Sequence, residues 1–254
     1  MKKIRLDTLL VERGAFADEA EALRAVLAHE VKVGDEYATS AAMRVAPDAD
    51  VEVKGRAAYV SRGGLKLREA LDEFDINVSE LHCIDVGCST GGFTDCLLQA
   101  GAASVAAVDV GYGDFAWKLR TDPRVTLFER TNIKTASPEE LGAPFDFVVA
   151  DLSFVGLAGL APVFATLCRP GSLFVGLVKP QFESRYDEVD DRGYVSDESV
   201  RHRVVSEVQS ALEAAGFLCN GIADVVESPI KGAKSHNTEY LVRARMRDIA
   251  GLGG

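Results

Sequence analysis

The sequence predicts an α/β chain built on a doubly wound, mostly parallel sheet of seven strands, preceded by a small α+β module. Three observations lead there. From about residue 61, strand-like and helix-like segments alternate, the pattern of a sheet whose crossovers are helices. Two strand segments, Val148-Val149-Ala150 and Leu173-Phe174-Val175-Gly176-Leu177-Val178, are continuously apolar, as strands covered on both faces should be. A glycine-rich turn follows the first strand and opens a helix, which is where open α/β sheets receive their ligands.

The elements follow in chain order. Within residues 1–55, Asp7 is placed to cap a first helix that carries Leu6, Leu9 and Leu10 on one side and ends at Gly14. Asp18 opens a second helix, with Glu21 three residues on in capping-box spacing. Val31-Lys32-Val33 and Glu36-Tyr37 flank a Gly-Asp turn, and Val51-Glu52-Val53 is a third strand. Residues 56–60 form a linker. The larger domain, 61–247, begins with a helix over 61–74 that has Leu67, Leu71 and Phe74 on one face. Strands are expected at 82–87, 104–110, 125–129, 145–151, 172–179, 217–226 and 239–245. Helices are expected at 91–100, 156–168 and 197–215, stopped by Gly101, by Arg169-Pro170-Gly171 and by Gly216. Residues 248–254 read as a flexible tail.

Bulk properties exclude several classes. The 254 residues are 47% hydrophobic and 26% charged, ordinary for a soluble globular chain. No apolar run approaches the roughly 20 residues of a membrane span, and Met1-Lys2-Lys3-Ile4-Arg5-Leu6-Asp7 lacks the apolar stretch of a signal peptide. A cytoplasmic location is expected. Five cysteines, an odd number without a C-x-x-C pair, argue against a disulfide framework and a zinc site, so no metal is expected. The net charge of −11 lends no support to nucleic-acid binding, which usually relies on a basic face. Charge alone points to a small-molecule enzyme.

The stretch Ile84-Asp85-Val86-Gly87-Cys88-Ser89-Thr90-Gly91-Gly92-Phe93-Thr94-Asp95 is the most informative. Its glycines let backbone approach a ligand closely. Their spacing is neither G-x-G-x-x-G nor a P-loop, and Asp85 at the end of the strand suits a cationic ligand better than a pyrophosphate. S-adenosylmethionine (SAM) carries an ammonium and a sulfonium, and Asp109 in Val108-Asp109-Val110 can accept hydrogen bonds from its ribose. Asp85, Gly87, Ser89, Gly91, Gly92, Phe93, Asp109 and Val110 are therefore the expected cofactor contacts. Without a ligand the same residues would be a structural turn.

Four polar residues have no evident structural role where they stand. Lys66 begins a helix, where the macrodipole disfavours a cation. Asp151 and Lys179 end neighbouring apolar strands, and Glu239 begins the last strand. Each alone reads as a solvated charge or an ion pair. Beside a SAM loop they suggest methylation of a hydroxyl, which needs its proton removed as it attacks. Lys179 is the candidate base, Lys66 the stabiliser of the developing alkoxide, and Asp151 and Glu239 the carboxylates that hold the two ammoniums. Amino methylation typically uses Asn/Asp-Pro-Pro-aromatic where this chain has Asp151-Leu152-Ser153-Phe154, and no cysteine stands where cytosine carbon-5 methylation needs one. Cys83, Cys88 and Cys96 read as small buried hydrophobes.

Six ordered strings resemble the TlyA (haemolysin A) family. They are Tyr59-Val60-Ser61-Arg62-Gly63-Gly64-Leu65-Lys66-Leu67, the Asp85–Asp95 stretch, Val108-Asp109-Val110-Gly111-Tyr112-Gly113, Glu129-Arg130-Thr131-Asn132, Ala150-Asp151-Leu152-Ser153-Phe154 and Val178-Lys179-Pro180-Gln181-Phe182-Glu183. The resemblance spans residues 3–247. It implies an S4 RNA-binding domain followed by an FtsJ-like, class I (Rossmann-like) SAM-dependent methyltransferase domain. It implies methylation of a ribose 2'-hydroxyl in ribosomal RNA, on a cytidine of the ribosomal subunits. The family's Lys-Asp-Lys-Glu tetrad falls on Lys66, Asp151, Lys179 and Glu239, and Asn132 falls near the adenine. Two departures stand out. Asp18-Glu19-Ala20-Glu21 replaces a basic second helix, leaving the module net acidic although Arg24 and Lys32 remain. His236-Asn237-Thr238-Glu239 replaces the usual Gly-Asn before the last-strand acid. Three other readings compete: a methyltransferase for tRNA or a small molecule, a non-catalytic RNA binder, and a membrane-acting toxin. The last has no apolar span or basic amphipathic helix behind it.

Overall fold

A computed structural model describes residues 3–13, 15–16, 18–47, 49–54, 58–231 and 237–248. Gly14, Gly55, Arg56 and Ala57 of the linker, His236 and residues 249–254 lie outside them. Contacts divide the chain into two compact units, Met1–Ala58 and Tyr59–Gly254.

The first unit packs α1 (Leu6–Glu12) against α2 (Glu19–Leu27). Leu6, Leu9, Leu10, Ala22, Ala25 and Val26 are buried in one core with Val31 and Val53. A two-residue strand β1 (Ile4–Arg5) precedes α1. Strands β2 (Val31–Val33), β3 (Glu36–Tyr37), β4 (Arg44–Val45) and β5 (Val51–Val53) follow. The sequence foretells β2, β3 and β5, which form one antiparallel sheet. It misses the β1–β4 pair, because two-residue strands carry no periodicity to read. Asp18 caps α2 by accepting from the backbone N–H of Glu21 at 2.7 Å. Asp7 differs from expectation. The cap of α1 is Arg5, and Asp7 lies inside the first turn, where it accepts from Thr8 N–H at 2.8 Å and pairs with the Arg5 guanidinium. The helix already begins at Leu6, so Asp7 stands two residues past the cap position.

The second unit opens with α3 (Gly63–Glu73) and alternates through β6 (His82–Val86), α4 (Gly92–Gln99), β7 (Ser104–Val108), α5 (Trp117–Arg120), β8 (Val125–Phe128), α6 (Pro138–Leu141) and β9 (Phe145–Ala150). It continues through α7 (Ala161–Leu167), β10 (Cys168–Val178), α8 (Pro180–Glu183), α9 (Glu198–Ala214), β11 (Phe217–Leu218), β12 (Val225–Glu227) and β13 (Tyr240–Met246). The sheet order is β11-β13-β10-β9-β6-β7-β8, with β12 also pairing with β13. Strands β10, β9, β6, β7 and β8 are parallel to their neighbours in that run, and β13 is antiparallel to β10. Both faces are buried. Along β9, Val148 and Ala150 enter one core with Phe164, Phe174 and Val208, while Phe147 and Val149 enter the other with Leu67 and Leu97. The continuously apolar strands thus serve two layers at once.

Two expectations need correcting. The strand expected at 217–226 is split into β11 and β12, both on the same partner strand. Between them Gly221 takes φ +59° and Asp224 accepts from Asn220 N–H at 2.6 Å, so Asn-Gly turn chemistry interrupts the ladder. The helix expected at 156–168 begins as a 3-10 turn at Ala158–Leu160 and ends at Leu167. Arg169-Pro170-Gly171 does not separate helix from strand but forms an irregularity inside β10, between the pairings of Cys168 and Leu173. Cys83, Cys88 and Cys96 are buried as expected, and burial raises all three thiols above their ordinary pKa.

Candidate active site

The site lies at the carboxyl ends of the parallel strands, around the turn from β6 into α4. Gly87 and Gly91 adopt φ of +87° and +98°, where glycine has no steric cost. At Gly87 the requirement is double, because a Cβ would stand 2.5 Å from the backbone oxygen of Asp151. At Gly92 a Cβ would collide with Ser61 Oγ and approach Gly64 N at 2.9 Å. These positions let the residues after β9 and the start of α3 close on the turn.

Asp85 is fully buried on β6. One carboxylate oxygen, Oδ2, accepts from Thr94 N–H at 2.9 Å and from Thr94 Oγ at 2.7 Å. The other, Oδ1, is buried and unpartnered although the residue lines the cleft. Burial pushes the carboxyl up to about 7, with Asp151 and Asp109 adding to the rise and Thr94 opposing it. An orphaned acceptor at the base of a cleft fits an ammonium donor, whose charge would favour the ionised form.

Asp109 follows β7. Its Oδ2 accepts from Ser89 N–H at 2.8 Å and its Oδ1 from Gly111 N–H at 2.7 Å. It therefore braces the glycine turn, and each oxygen retains a lone pair for a hydroxyl. Thr131 N–H donates to the Asp109 carbonyl at 2.9 Å, which keeps the neighbouring Asn132 near the end of β7. Asn132 is exposed, its Oδ1 accepting from Lys134 N–H at 3.0 Å, and Val110 is 70% exposed.

The four polar residues form two ion pairs. Lys179, just past β10, sets its Nζ 2.6 Å from Asp151 Oδ1, just past β9, with ion-pair rather than hydrogen-bond geometry. It also donates to Ser153 Oγ at 3.3 Å. Lys66 in the first turn of α3 hydrogen-bonds Glu239, one residue before β13. Both lysine side chains are only 11% exposed. The Glu239 approach is fixed from behind. Ser228 N–H donates to the Glu239 carbonyl, and the fully buried Asn237 amide accepts from Val195 N–H at 2.9 Å and donates to the Gly193 carbonyl at 2.7 Å.

Lys66, Asp85, Gly87, Ser89, Gly92, Phe93, Asp151 and Lys179 line one cleft of about 250 Å³. Glu239 reaches it through Lys66. Gly91, Asp109, Val110 and Asn132 do not line it. Sequence reasoning assigned no role to Ser61, Arg62, Ser153 or Lys231, which also line the cleft. The first three stand inside strings already singled out, and their side-chain types were the available signal. Lys231 offered none. Among the described residues no group of three or more His, Cys, Asp or Glu side chains is arranged to hold a metal ion.

Strand order, a glycine turn after the first sheet strand and a cleft over the strand ends define a class I, Rossmann-like SAM-dependent methyltransferase. A family model described as FtsJ-like methyltransferase matches residues 59–246, and the chain belongs to that family. It is 40% identical over 246 residues to the 16S/23S rRNA (cytidine-2'-O)-methyltransferase TlyA of Mycobacterium tuberculosis, covering 96% of this chain and 90% of that protein. It is 36% identical over 239 residues to hemolysin A of Brachyspira hyodysenteriae, covering 94% of this chain and 98% of that one. A solved structure described as a hemolysin from Streptococcus thermophilus superposes with a TM-score of 0.73 at 36% identity, covering 98% of this chain and 90% of that one.

Proposed function

We propose that this chain transfers the methyl group of SAM to a ribose 2'-hydroxyl of ribosomal RNA, on a cytidine. The observation that carries the proposal is a pair of lysines, each held by a carboxylate, lining one cleft with a glycine turn and an unpartnered buried aspartate. The cofactor supplies an electrophilic methyl on a sulfonium. Asp85 Oδ1 would hold its ammonium, and Asp109, with Val110 and Asn132 nearby, would hold its ribose and adenine. The glycine turn, with Ser89 and Phe93, supplies the close wall.

Lys179 acts as the neutral amine: it takes the 2'-hydroxyl proton as the oxygen attacks and becomes the ammonium that Asp151 pairs with, while the Lys66 ammonium stabilises the negative charge that develops on the oxygen. Asp151 and Glu239 hold the two lysine side chains in place so that little motion is needed at the moment of reaction. The relative from M. tuberculosis named for cytidine-2'-O methylation of 16S and 23S rRNA supports the RNA target. Residues 1–55 act as an S4-like RNA-binding domain, joined through residues 56–60 to the methyltransferase domain at 61–247. Ribosomal subunits would be the partner and the cytoplasm the location; no helix among the described residues is long and apolar enough to cross a membrane. Mapping 2'-O-methylated nucleotides in rRNA from strains with and without the gene tests the reading. A missing cytidine methylation in the deletion strain is expected. Identical rRNA maps with a changed tRNA map would move the target to tRNA, and no change in any RNA would favour a non-catalytic RNA binder.

A further inference from the structure

Glu183, the last residue of α8, is a half-buried carboxylate with no part in the chemistry above. Its Oε1 accepts the backbone N–H of Leu157, and the Ala158 N–H also points to it. These are among the first N–H groups of the helical turn leading into α7, donors that lack partners within their own helix. Burial raises the carboxyl above its ordinary range, and the two N–H groups oppose that rise.

The contact ties together two segments that each carry a reacting group. Lys179 lies four residues before Glu183. The segment from Asp151 to Leu157 holds Asp151 and Ser153, both of which touch Lys179 Nζ. The approach depends on Gly156, where a Cβ would stand 2.5 Å from Glu183 Oε2. A second point of attachment runs alongside, with the rings of Phe154 and Phe182 5.5 Å apart. At this second attachment Phe154 takes φ +69°, a conformation that non-glycine residues avoid, and the residue is 88% exposed. A backbone held in that region persists where its surroundings over-determine it.

We infer that Glu183 is a positioning residue, clamping the Asp151–Leu157 segment so that Asp151 and Ser153 stand against Lys179. The inference rests on the proposed 2'-O-methylation, because the clamp matters only if Lys179 acts on the substrate. It acts through geometry. A displacement of about 1 Å at a reacting group can cost on the order of 10²-fold in rate.

The test compares Glu183→Ala, Glu183→Gln, Gly156→Ala and the double variant Glu183→Ala/Gly156→Ala, assaying methyl transfer to ribosomal subunits beside SAM binding by calorimetry. Glu183→Ala should lower kcat by about tenfold or more with SAM affinity unchanged. Glu183→Gln, which still offers an acceptor oxygen, should recover part of the loss. Gly156→Ala pushes on the same carboxylate from the other side and should also lower kcat. The double variant should lose less than the product of the two single losses, since both changes act on one contact, although the Gly156→Ala Cβ also meets the Phe182 carbonyl at 3.0 Å. Should Glu183→Ala not fold, the Glu183→Gln and Gly156→Ala pair carries the comparison. Wild-type kcat in the variants, a multiplied loss in the double variant, or a matching loss of SAM affinity would overturn the inference alone. A wild type that leaves ribosomal RNA unmethylated would overturn the functional reading and this inference with it.

Discussion

Lys179 and Asp151 stand just past the ends of adjacent parallel strands, and the register of β9 on β10 brings their side chains to 2.6 Å. The pairing follows from topology more than from either residue. A parallel neighbour in register delivers two side chains to the same edge, and Gly87 lets the turn after β6 close beneath them.

That relationship makes the lysine testable. Lys179→Ala should lower methyl transfer by about 10² to 10⁴, the usual effect of losing a general base, while SAM still binds. Lys66→Ala should cost less, because it stabilises charge without moving a proton. Glu239→Gln keeps the shape and removes the charge that holds Lys66, so its rate loss should resemble that of Lys66→Ala. Single-turnover assays with calorimetry read all three. Near-normal turnover in Lys179→Ala would take it out of the mechanism.

Gly87 should tolerate no side chain. Gly87→Val adds a Cβ 2.5 Å from the Asp151 carbonyl at a φ of +87°, a conformation that β-branched residues reach only under strain. SAM affinity should fall below detection and the melting temperature should drop, by about 2–4 °C for each kcal/mol lost in a domain of this size. Asp109→Ala removes the brace on Ser89 and Gly111 and should weaken SAM binding by about tenfold or more, two charge-assisted hydrogen bonds being lost. Unchanged SAM affinity in both variants would place the cofactor elsewhere.

Much of this was legible in the sequence. Asp85, Asp151, Lys179 and the glycine turn stand out because a charge or a glycine interrupts an apolar strand at or near its end, Lys66 because it is a cation in the first turn of a helix, and Glu239 because it is a charge at the start of an apolar strand; all are local signals. What was not legible is pairwise. Nothing in the spacing says that Lys66 pairs with Glu239 and Lys179 with Asp151, since that depends on where α3 lands relative to β13. Nothing marks Asn237 as a fully buried tie between Gly193 and Val195, or Glu183 as a partner of Leu157, because both bonds join segments through backbone atoms that any residue supplies. The split of the sixth strand at Gly221 was readable from its Asn-Gly pair, but the flanking Val225 and Val226 extend the apolar pattern across it.

The N-terminal unit should contribute positioning more than affinity. Its arginines are largely engaged within it: Arg5 pairs with Asp7, Arg13 donates to the carbonyls of Pro47 and Ala49, and Arg44 donates to that of Lys3. Lys32 lies over the Tyr37 ring. Removing residues 1–55 should lower kcat/KM on ribosomal substrate and leave SAM affinity intact. RNA binding by the unit should show a log–log salt slope no steeper than about −2, the release expected from roughly two phosphate contacts. A truncated chain that methylates ribosomes at full rate would refute the positioning role, and a steep slope would show a basic surface strong enough to bind on its own.

The final prediction follows from Asp85. Its folded pKa, about 7, lies above the ordinary carboxylate value of 3.8, chiefly because burial favours the neutral form. The free protein binds this proton more tightly than the unfolded chain, so the stability it contributes is fully present below about pH 4 and is lost as pH rises to about 7. A ligand ammonium facing Oδ1 favours the ionised carboxylate, so binding SAM should expel the proton. Affinity should therefore rise with pH from about 5 to 7, by up to tenfold per unit. It should level off near pH 7 and fall again as the ligand's α-amino group, with a pKa of about 7.7–8.0 in peptides, loses its own proton. Calorimetry in two buffers of different ionisation enthalpy would detect the released proton near pH 6. Asp85→Asn should bind more weakly and abolish both the rising limb and the proton release. An affinity independent of pH between 5 and 7 in the wild type would show that the ammonium is held elsewhere.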